Sequence, residues 1–277
     1  MAFMAVVVGF WNVENLFGPQ SVQMAGKSWT KSRYYSKCAG IGKVIACMCD
    51  TLGQFPDIVC LSEVDCERTL KDIVWSEPLR KQRYRFVHSD SPDKRGIDCA
   101  LLYRGRSVLR SGAHHLYLPD STVVPTRDIL VVEFDDLVVI VNHHPSKIGA
   151  SGGTLRGLAL TELKRLCDSL GTGRPILAIG DFNDTRSPYT DSLLAPMKEL
   201  KPENDAPGTI KFQGRWQQID RAFVSPGTGA SLSIMASEAL SEPDKKFGGT
   251  KPKRTYIGPR WHGGLSDHYP IVVRIIQ

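Results

Sequence analysis

Four carboxylates stand where an apolar run meets a turn: Glu63 after Ile58-Val59-Cys60-Leu61-Ser62, Asp181 after Ile176-Leu177-Ala178-Ile179-Gly180, Asp220 ahead of Arg221-Ala222-Phe223-Val224, and Asp267 ahead of His268-Tyr269-Pro270-Ile271. Taken singly, such an acid is an ordinary turn residue, because Asp tolerates turn backbones and hydrogen-bonds its own chain. Four of them point elsewhere. Strand ends are rigid platforms, and acids on several rims can converge on the all-oxygen environment that magnesium or manganese requires. Asn12, His143 and His268 sit on rims of the same kind and add a neutral amide and two imidazoles. The chemistry these types support is metal-assisted hydrolysis of a charged ester, with a side chain taking a proton from water.

The elements that must position them are short and β-rich. Runs at 6–11, 57–61, 84–88, 98–103, 129–134, 137–142, 176–179, 221–224 and 271–276 carry Val, Ile and Phe, with Gly, Pro or Asp at their edges, which predicts about nine strands. Helical patterns cover 36–52, 66–79 and 154–170, the last with Leu155, Leu158, Ala159, Leu163 and Leu166 on one face. The run 131–140 breaks at Asp135-Asp136 and reads as a hairpin, so a purely parallel sheet is disfavoured. Two packed mixed sheets flanked by helices are expected. No strict repeat or low-complexity segment interrupts the chain.

The 277 residues fit one domain, with 42% hydrophobic and 23% charged residues, and no segment approaches a membrane span. The apolar start lacks a signal peptide's basic region and cleavage site, so a cytoplasmic location is expected, or a secreted or periplasmic one if a leader has been trimmed. Seven scattered cysteines match no metal-site spacing and suit a reducing compartment; Cys47 and Cys49 read as helix residues rather than a thiol pair. A net charge of +6 favours anionic partners. The tract 245–264 is basic, dotted with aromatics and rich in turn formers; with the tract 31–37 it could track a phosphate backbone while Tyr256 or Trp261 stacks on a base, or it could simply be solvated.

Trp11-Asn12-Val13, Leu61-Ser62-Glu63, Gly180-Asp181-Phe182-Asn183, Ile219-Asp220 and Ser266-Asp267-His268 occur in the order seen in the endonuclease/exonuclease/phosphatase superfamily, and the chain resembles it over nearly its whole length. Ser91-Pro92-Asp93-Lys94-Arg95-Gly96-Ile97-Asp98, Asn142-His143-His144-Pro145-Ser146-Lys147 and Gly263-Gly264-Leu265-Ser266-Asp267-His268 are similar to a little-described bacterial branch of it. The resemblance implies a four-layer α/β sandwich, with two central mixed sheets packed face to face, helices outside and the active site along one edge.

It also implies roles. Glu63 would be the main ligand of a Mg2+ or Mn2+ ion, with Asn12 and Asp267 close by and Glu14 within reach of the same point. Asp181 would hold or deprotonate the attacking water, and Asn183 would orient the phosphate. His268 would contact a phosphoryl oxygen, with Asp220 setting its tautomer and charge, and His143 would be a second catalytic histidine. Asn142, His144, Arg95 and Lys147 are the candidates for phosphate contact; Arg95 has an ordinary ion pair with Asp98 as its alternative.

The expected activity is that of a monomeric phosphodiesterase acting on nucleic acid. A phosphatase of inositol phosphates or other small or lipid-linked esters is the rival, but of the Trp-Cys-Asp-Arg string usual in inositol-polyphosphate phosphatases only Asp220-Arg221 is kept. Specific abasic-site repair is disfavoured, since 142–156 lacks the tyrosine and asparagine of that subgroup. A non-catalytic binding module on the same fold is the reading from another class.

Overall fold

Runs of Val and Ile bounded by turn formers become strands because β-branched side chains pack well on a pleated surface. The computed structural model describes residues 5–24, 29–77, 79–146, 152–171 and 173–276. They form two six-stranded mixed sheets. In the first, β1 (Ala5–Leu16) and β2 (Ile58–Val64) run parallel. β4 (Asp98–Tyr103) and then β3 (Arg85–His88) add antiparallel beside β2. On the other side, β18 (Ile271–Ile276) and then β13 (Gly229–Ile234) add beside β1.

The second sheet repeats this plan. Its parallel pair is β7 (Val138–His143) and β8 (Ile176–Asp181), flanked by β6 (Ile129–Phe134) and β5 (Val108–His114) on one side. β12 (Asp220–Val224) and β9 (Lys198–Glu199) close the other side. Three ribbons lie outside the sheets: β10 (Ile210–Phe212) with β11 (Arg215–Gln217), β14 (Ser241–Pro243) with β15 (Thr250–Pro252), and β16 (Tyr256–Ile257) with β17 (Arg260–Trp261).

A parallel pair needs a crossover connection, usually a helix. Helix α1 (Lys31–Leu52) lies between β1 and β2, and α3 (Gly152–Ser169) lies between β7 and β8. Period-2 alternation then sorts the side chains. Val139 and Val141 enter the core shared by the two sheets, whereas Val138 and Ile140 pack with Leu160, Leu163 and Leu166 of α3. With α2 (Glu67–Val74) beside α1 and α4 (Pro188–Leu193) beside α3, the layers are helix, sheet, sheet, helix. This is the expected four-layer α/β sandwich.

The expected hairpin over 131–140 is the β6–β7 turn. Helix α1 starts at residue 31 rather than 36 because Thr30 Oγ1 accepts the Arg33 N–H at 3.3 Å and caps the basic tract into the helix. Gly53, at φ 74°, ends it. Strands β5 and β13 were not expected: Arg110-Ser111-Gly112 and Gly229-Ala230-Ser231 carry no β-branched signal, and pairing to β6 and β18 makes them strands. No helix among the described residues is long and apolar enough to cross a membrane.

Candidate active site

The carboxyl ends of both parallel pairs, with the starts of their antiparallel neighbours, meet along one rim. The Asn12 amide joins the two sheets there, donating to Asp181 Oδ2 at 3.0 Å and to Glu63 Oε1 at 3.4 Å. Bulges interrupt the pairing between Asn12 and Leu16 on β1 and between Ser62 and Val64 on β2. A bulge bends the strand and re-aims its side chains. Glu14, Asn15 and Glu63 accordingly hold φ values of 47°, 50° and 66°, and Asn183, just past β8, holds 48°, a left-handed backbone that non-glycine residues adopt at a cost.

An acidic corner results. Glu63 Oε2 accepts the Asn15 N–H at 2.7 Å, and Glu14 Oε2 accepts the Thr255 N–H at 2.7 Å. Arg254 bridges Glu14, at 3.2 Å, and Asp267, at 2.9 Å. From the protein interior, the fully buried Lys37 ammonium donates to the Glu14 carbonyl at 2.6 Å and to Thr255 Oγ1 at 2.7 Å. Burial and the neighbouring Asp267 raise the Glu14 pKa, against the opposing pull of Lys37 and Arg254. Burial lowers that of Lys37 to about 8, although Glu14 and Glu63 pull it up.

Asp181 lies between this corner and the histidines. Its Oδ1 accepts the Asn183 N–H at 2.8 Å, and its Oδ2 is 3.7 Å from His143 Nε2 and 4.0 Å from His268 Nε2. Burial raises its pKa to about 7, against the pull of His268. His268 Nδ1 meets both oxygens of Asp220, at 2.8 and 3.1 Å. Burial alone would lower the His268 pKa, but Asp220, with help from Asp181 and Asp267, holds it well above the ordinary value. The segment is anchored by Trp11 Nε1 donating to the His268 carbonyl, and by Ser266, which donates to the Asn12 carbonyl and accepts the His268 N–H.

His143 has a partner that motif reading missed. Arg127 sets Nη2 2.9 Å from His143 Nε2 and Nε 3.3 Å from His143 Nδ1, and its own Nη1 lies 3.4 Å from Asp93. A neutral imidazole accepts at only one nitrogen and a charged one at neither, so one of the two approaches is a hydrogen bond and the uncharged ring is the form that can make it. Burial, then the charges of Arg127 and Arg95, push the His143 pKa well below its ordinary value. Arg127 immediately precedes Asp128 and the apolar run of β6; the rim rule that found the carboxylates, applied to cations, would have found it.

The remaining candidates separate. Asn142 and His144 project from the other face of β7: the Asn142 amide donates to the Ile140 carbonyl at 3.0 Å and its Oδ1 lies 3.3 Å from His144 Nε2, while the His144 ring packs on Phe182 at 4.7 Å. Burial, with Arg221 nearby, lowers the His144 pKa to about 3. Asn183 spends one amide hydrogen on the His144 carbonyl at 2.9 Å. Arg95 does not pair with Asp98, which instead meets His88 at 3.1 Å; Arg95 lies 3.9 Å from Asp93 on the rim. Lys147 lies outside the described residues. Tyr256, offered for base stacking, is buried against Trp29 and Trp261, at 5.8 and 5.6 Å, because the β16–β17 ribbon folds down onto Phe17 and Ile97.

The carboxylates of Glu63, Glu14 and Asp267 are the oxygen donors that a hard dication takes; Asn12 Oδ1 already accepts the Glu14 N–H at 3.0 Å and has one lone pair left for an ion. Among the described residues, the groups whose ligand atoms lie within 4.8 Å of one another are Asp181, Asp220 and His268, and His88, Asp90 and Asp98; the carboxylates of the acidic corner stand further apart, and an ion at the first group would have to break the His268–Asp220 pair.

Comparison with known proteins agrees with the fold. No curated sequence is similar to the chain. Among solved structures, humanized D. rerio TDP2 is similar in fold, with a TM-score of 0.66 at 16% identity over 99% of both chains. An endonuclease/exonuclease/phosphatase from Bacteroides vulgatus gives 0.63 at 18% identity, over 99% of this chain and 100% of that one. The mannosyl-6-phosphatase of Bacteroides thetaiotaomicron VPI-5482 gives 0.62 at 17% identity, over 98% and 100%. The sequence pattern of one family spans residues 7–277, which takes in every rim residue described above, and the chain belongs to that Endonuclease/Exonuclease/phosphatase family.

Proposed function

We propose that the protein is a divalent-metal-dependent phosphoesterase that hydrolyses phosphodiester bonds of nucleic acid by in-line attack of an activated water. The observation that carries this reading is the placement of buried Asp181 between the acidic corner and the His268–Asp220 pair. A carboxylate whose pKa is lifted to about 7 accepts a proton near neutral pH.

Asp181 takes the proton of the attacking water while the water oxygen bonds to phosphorus and the ester oxygen departs. His268, kept charged by Asp220, presents Nε2–H to a phosphoryl oxygen, where a fixed donor is worth most as charge develops. His143, neutral against Arg127, offers a hydrogen bond without adding charge, and the free amide positions of Asn183 orient the phosphate. Glu63, with Glu14, Asn12 and Asp267, would hold Mg2+ or Mn2+, which supplies Lewis-acid stabilisation of the phosphoryl oxygens.

A polyanionic substrate is supported by the net charge of +6; a groove of about 790 Å³ carries Lys31, Arg68, Lys94 and Arg95, interspersed with Asp65, Asp72 and Asp93. The test is hydrolysis of plasmid DNA, single-stranded DNA, RNA, inositol phosphates and a generic phosphodiester, with magnesium, manganese or chelator. Metal-dependent cleavage of nucleic acid, lost in both Asp181→Ala and His268→Ala, is expected. Turnover of inositol phosphates alone would refute the substrate, and no turnover of anything by folded protein would refute the enzyme.

A further inference from the structure

We propose that Arg254 is a built-in competitor of the divalent ion: its guanidinium occupies the cation position between Glu14 and Asp267 until metal displaces it. This rests on the metal-dependent reading above and concerns how that site is filled.

The corner gathers Glu14, Glu63 and Asp267, and two cations face it from opposite sides. Lys37 comes from within and is fully buried, bonded to a backbone carbonyl and a hydroxyl rather than to a carboxylate. Arg254 comes from solvent, is 48% exposed at its side chain, and bonds the carboxylates themselves, at 3.2 Å to Glu14 and 2.9 Å to Asp267. It therefore uses the oxygens that a hard dication would use, whereas Lys37 does not.

The backbone under Arg254 is fixed and its side chain is not. The Gly264 N–H donates to the Arg254 carbonyl at 2.9 Å, and the Leu265 N–H to the Lys253 carbonyl at 3.1 Å. The two segments lie so close that a Cβ at residue 264 would sit 1.9 Å from the Lys253 carbonyl oxygen, so only glycine fits there. From that platform the long, half-exposed side chain can swing into solvent once another cation takes its place, whereas its partners Glu14 and Asp267, 7% and 23% exposed at their side chains, stay in the corner. A guanidinium keeps its charge at every working pH. Proton loss from the arginine thus never vacates the corner, and while the carboxylates are ionised a competing cation is what displaces it.

The experiment is titration of the intact chain with Mn2+, counting free ion by electron paramagnetic resonance, for the wild type, Arg254→Gln and Arg254→Lys. Arg254→Gln keeps the length and hydrogen-bonding capacity but removes the charge, and it should bind Mn2+ at least about tenfold more tightly, or about 1.4 kcal/mol. Arg254→Lys should stay within about threefold of the wild type, since a mobile ammonium still competes by charge. Unchanged or weaker binding by a folded Arg254→Gln, with Mn2+ binding intact in the wild type, would overturn the proposal alone. Absence of Mn2+ binding in all three folded proteins would overturn it together with the metal-dependent reading.

Discussion

Replacing Asp220 by Asn changes one atom of the His268 pair and so isolates the charge. In the wild type the imidazole meets carboxylate oxygens at 2.8 and 3.1 Å, with both residues buried. A hydrogen bond to a charged partner contributes about 1.5–3 kcal/mol and a neutral one about 0.5–1.5 kcal/mol. The exchange therefore removes about 1–2 kcal/mol of support for a charged His268. At about 1.4 kcal/mol per decade, kcat/KM on a chromogenic phosphodiester should fall roughly tenfold near pH 7. The direction with pH follows from the shifts. In the wild type the His268 pKa is raised well above its usual value, so the ring stays charged through neutrality. Without the carboxylate, burial, which lowers it, takes over, and the variant's ring recharges only on acidification. The deficit should thus grow from pH 6 to pH 8. Asp181 feels both groups, Asp220 raising its pKa and charged His268 lowering it, so its acid limb is fitted separately in each protein before the deficits are compared. An equal deficit at every pH, or none, would refute the reasoning.

Arg127→Gln should lower kcat/KM by about 10–100-fold, the size of a lost charge-assisted contact, and should shift the His143 titration upward by NMR because a neighbouring positive charge is gone. His144→Phe should cost about 1 kcal/mol of stability in a urea melt, through the lost Asn142 contact, yet leave kcat within about threefold, since the ring faces Phe182 and not the rim. Gly180→Ala should destabilise by at least about 2–3 kcal/mol by the same melt, because its Cβ would lie 2.1 Å from the Asn142 carbonyl oxygen. Chelator should abolish hydrolysis and Mg2+ or Mn2+ restore it, while added Mn2+ raises the melting temperature as a native-state ligand must.

Much of the site is legible in sequence because its acids obey a local rule. Glu63, Asp181, Asp220 and Asp267 each mark the end of an apolar run, and an apolar run bounded by turn formers is a strand wherever it ends up. The face on which a rim residue lies is less legible. Residues 138–141 are apolar on both sides, so the run cannot say whether Asn142 or His143 looks toward the rim; only α3 packing on Val138 and Ile140 decides that it is His143. Arg254 escapes for a related reason, since nothing local distinguishes an arginine that will meet two carboxylates from one left in water.

The sequence by itself determined the strand runs, the crossover helices and the residue types available for metal and proton chemistry, because periodicity and turn preference act between near neighbours. Only the tertiary structure decided their convergence. Trp11 binds the His268 carbonyl across 257 positions, and Asn12 binds Asp181 across 169. Those contacts depend on two sheets packed face to face and on bulges that hold Glu14 and Glu63 at positive φ. Such backbones are costly for any residue but glycine, so no local preference announces them; packing and hydrogen bonding from distant parts of the chain impose them.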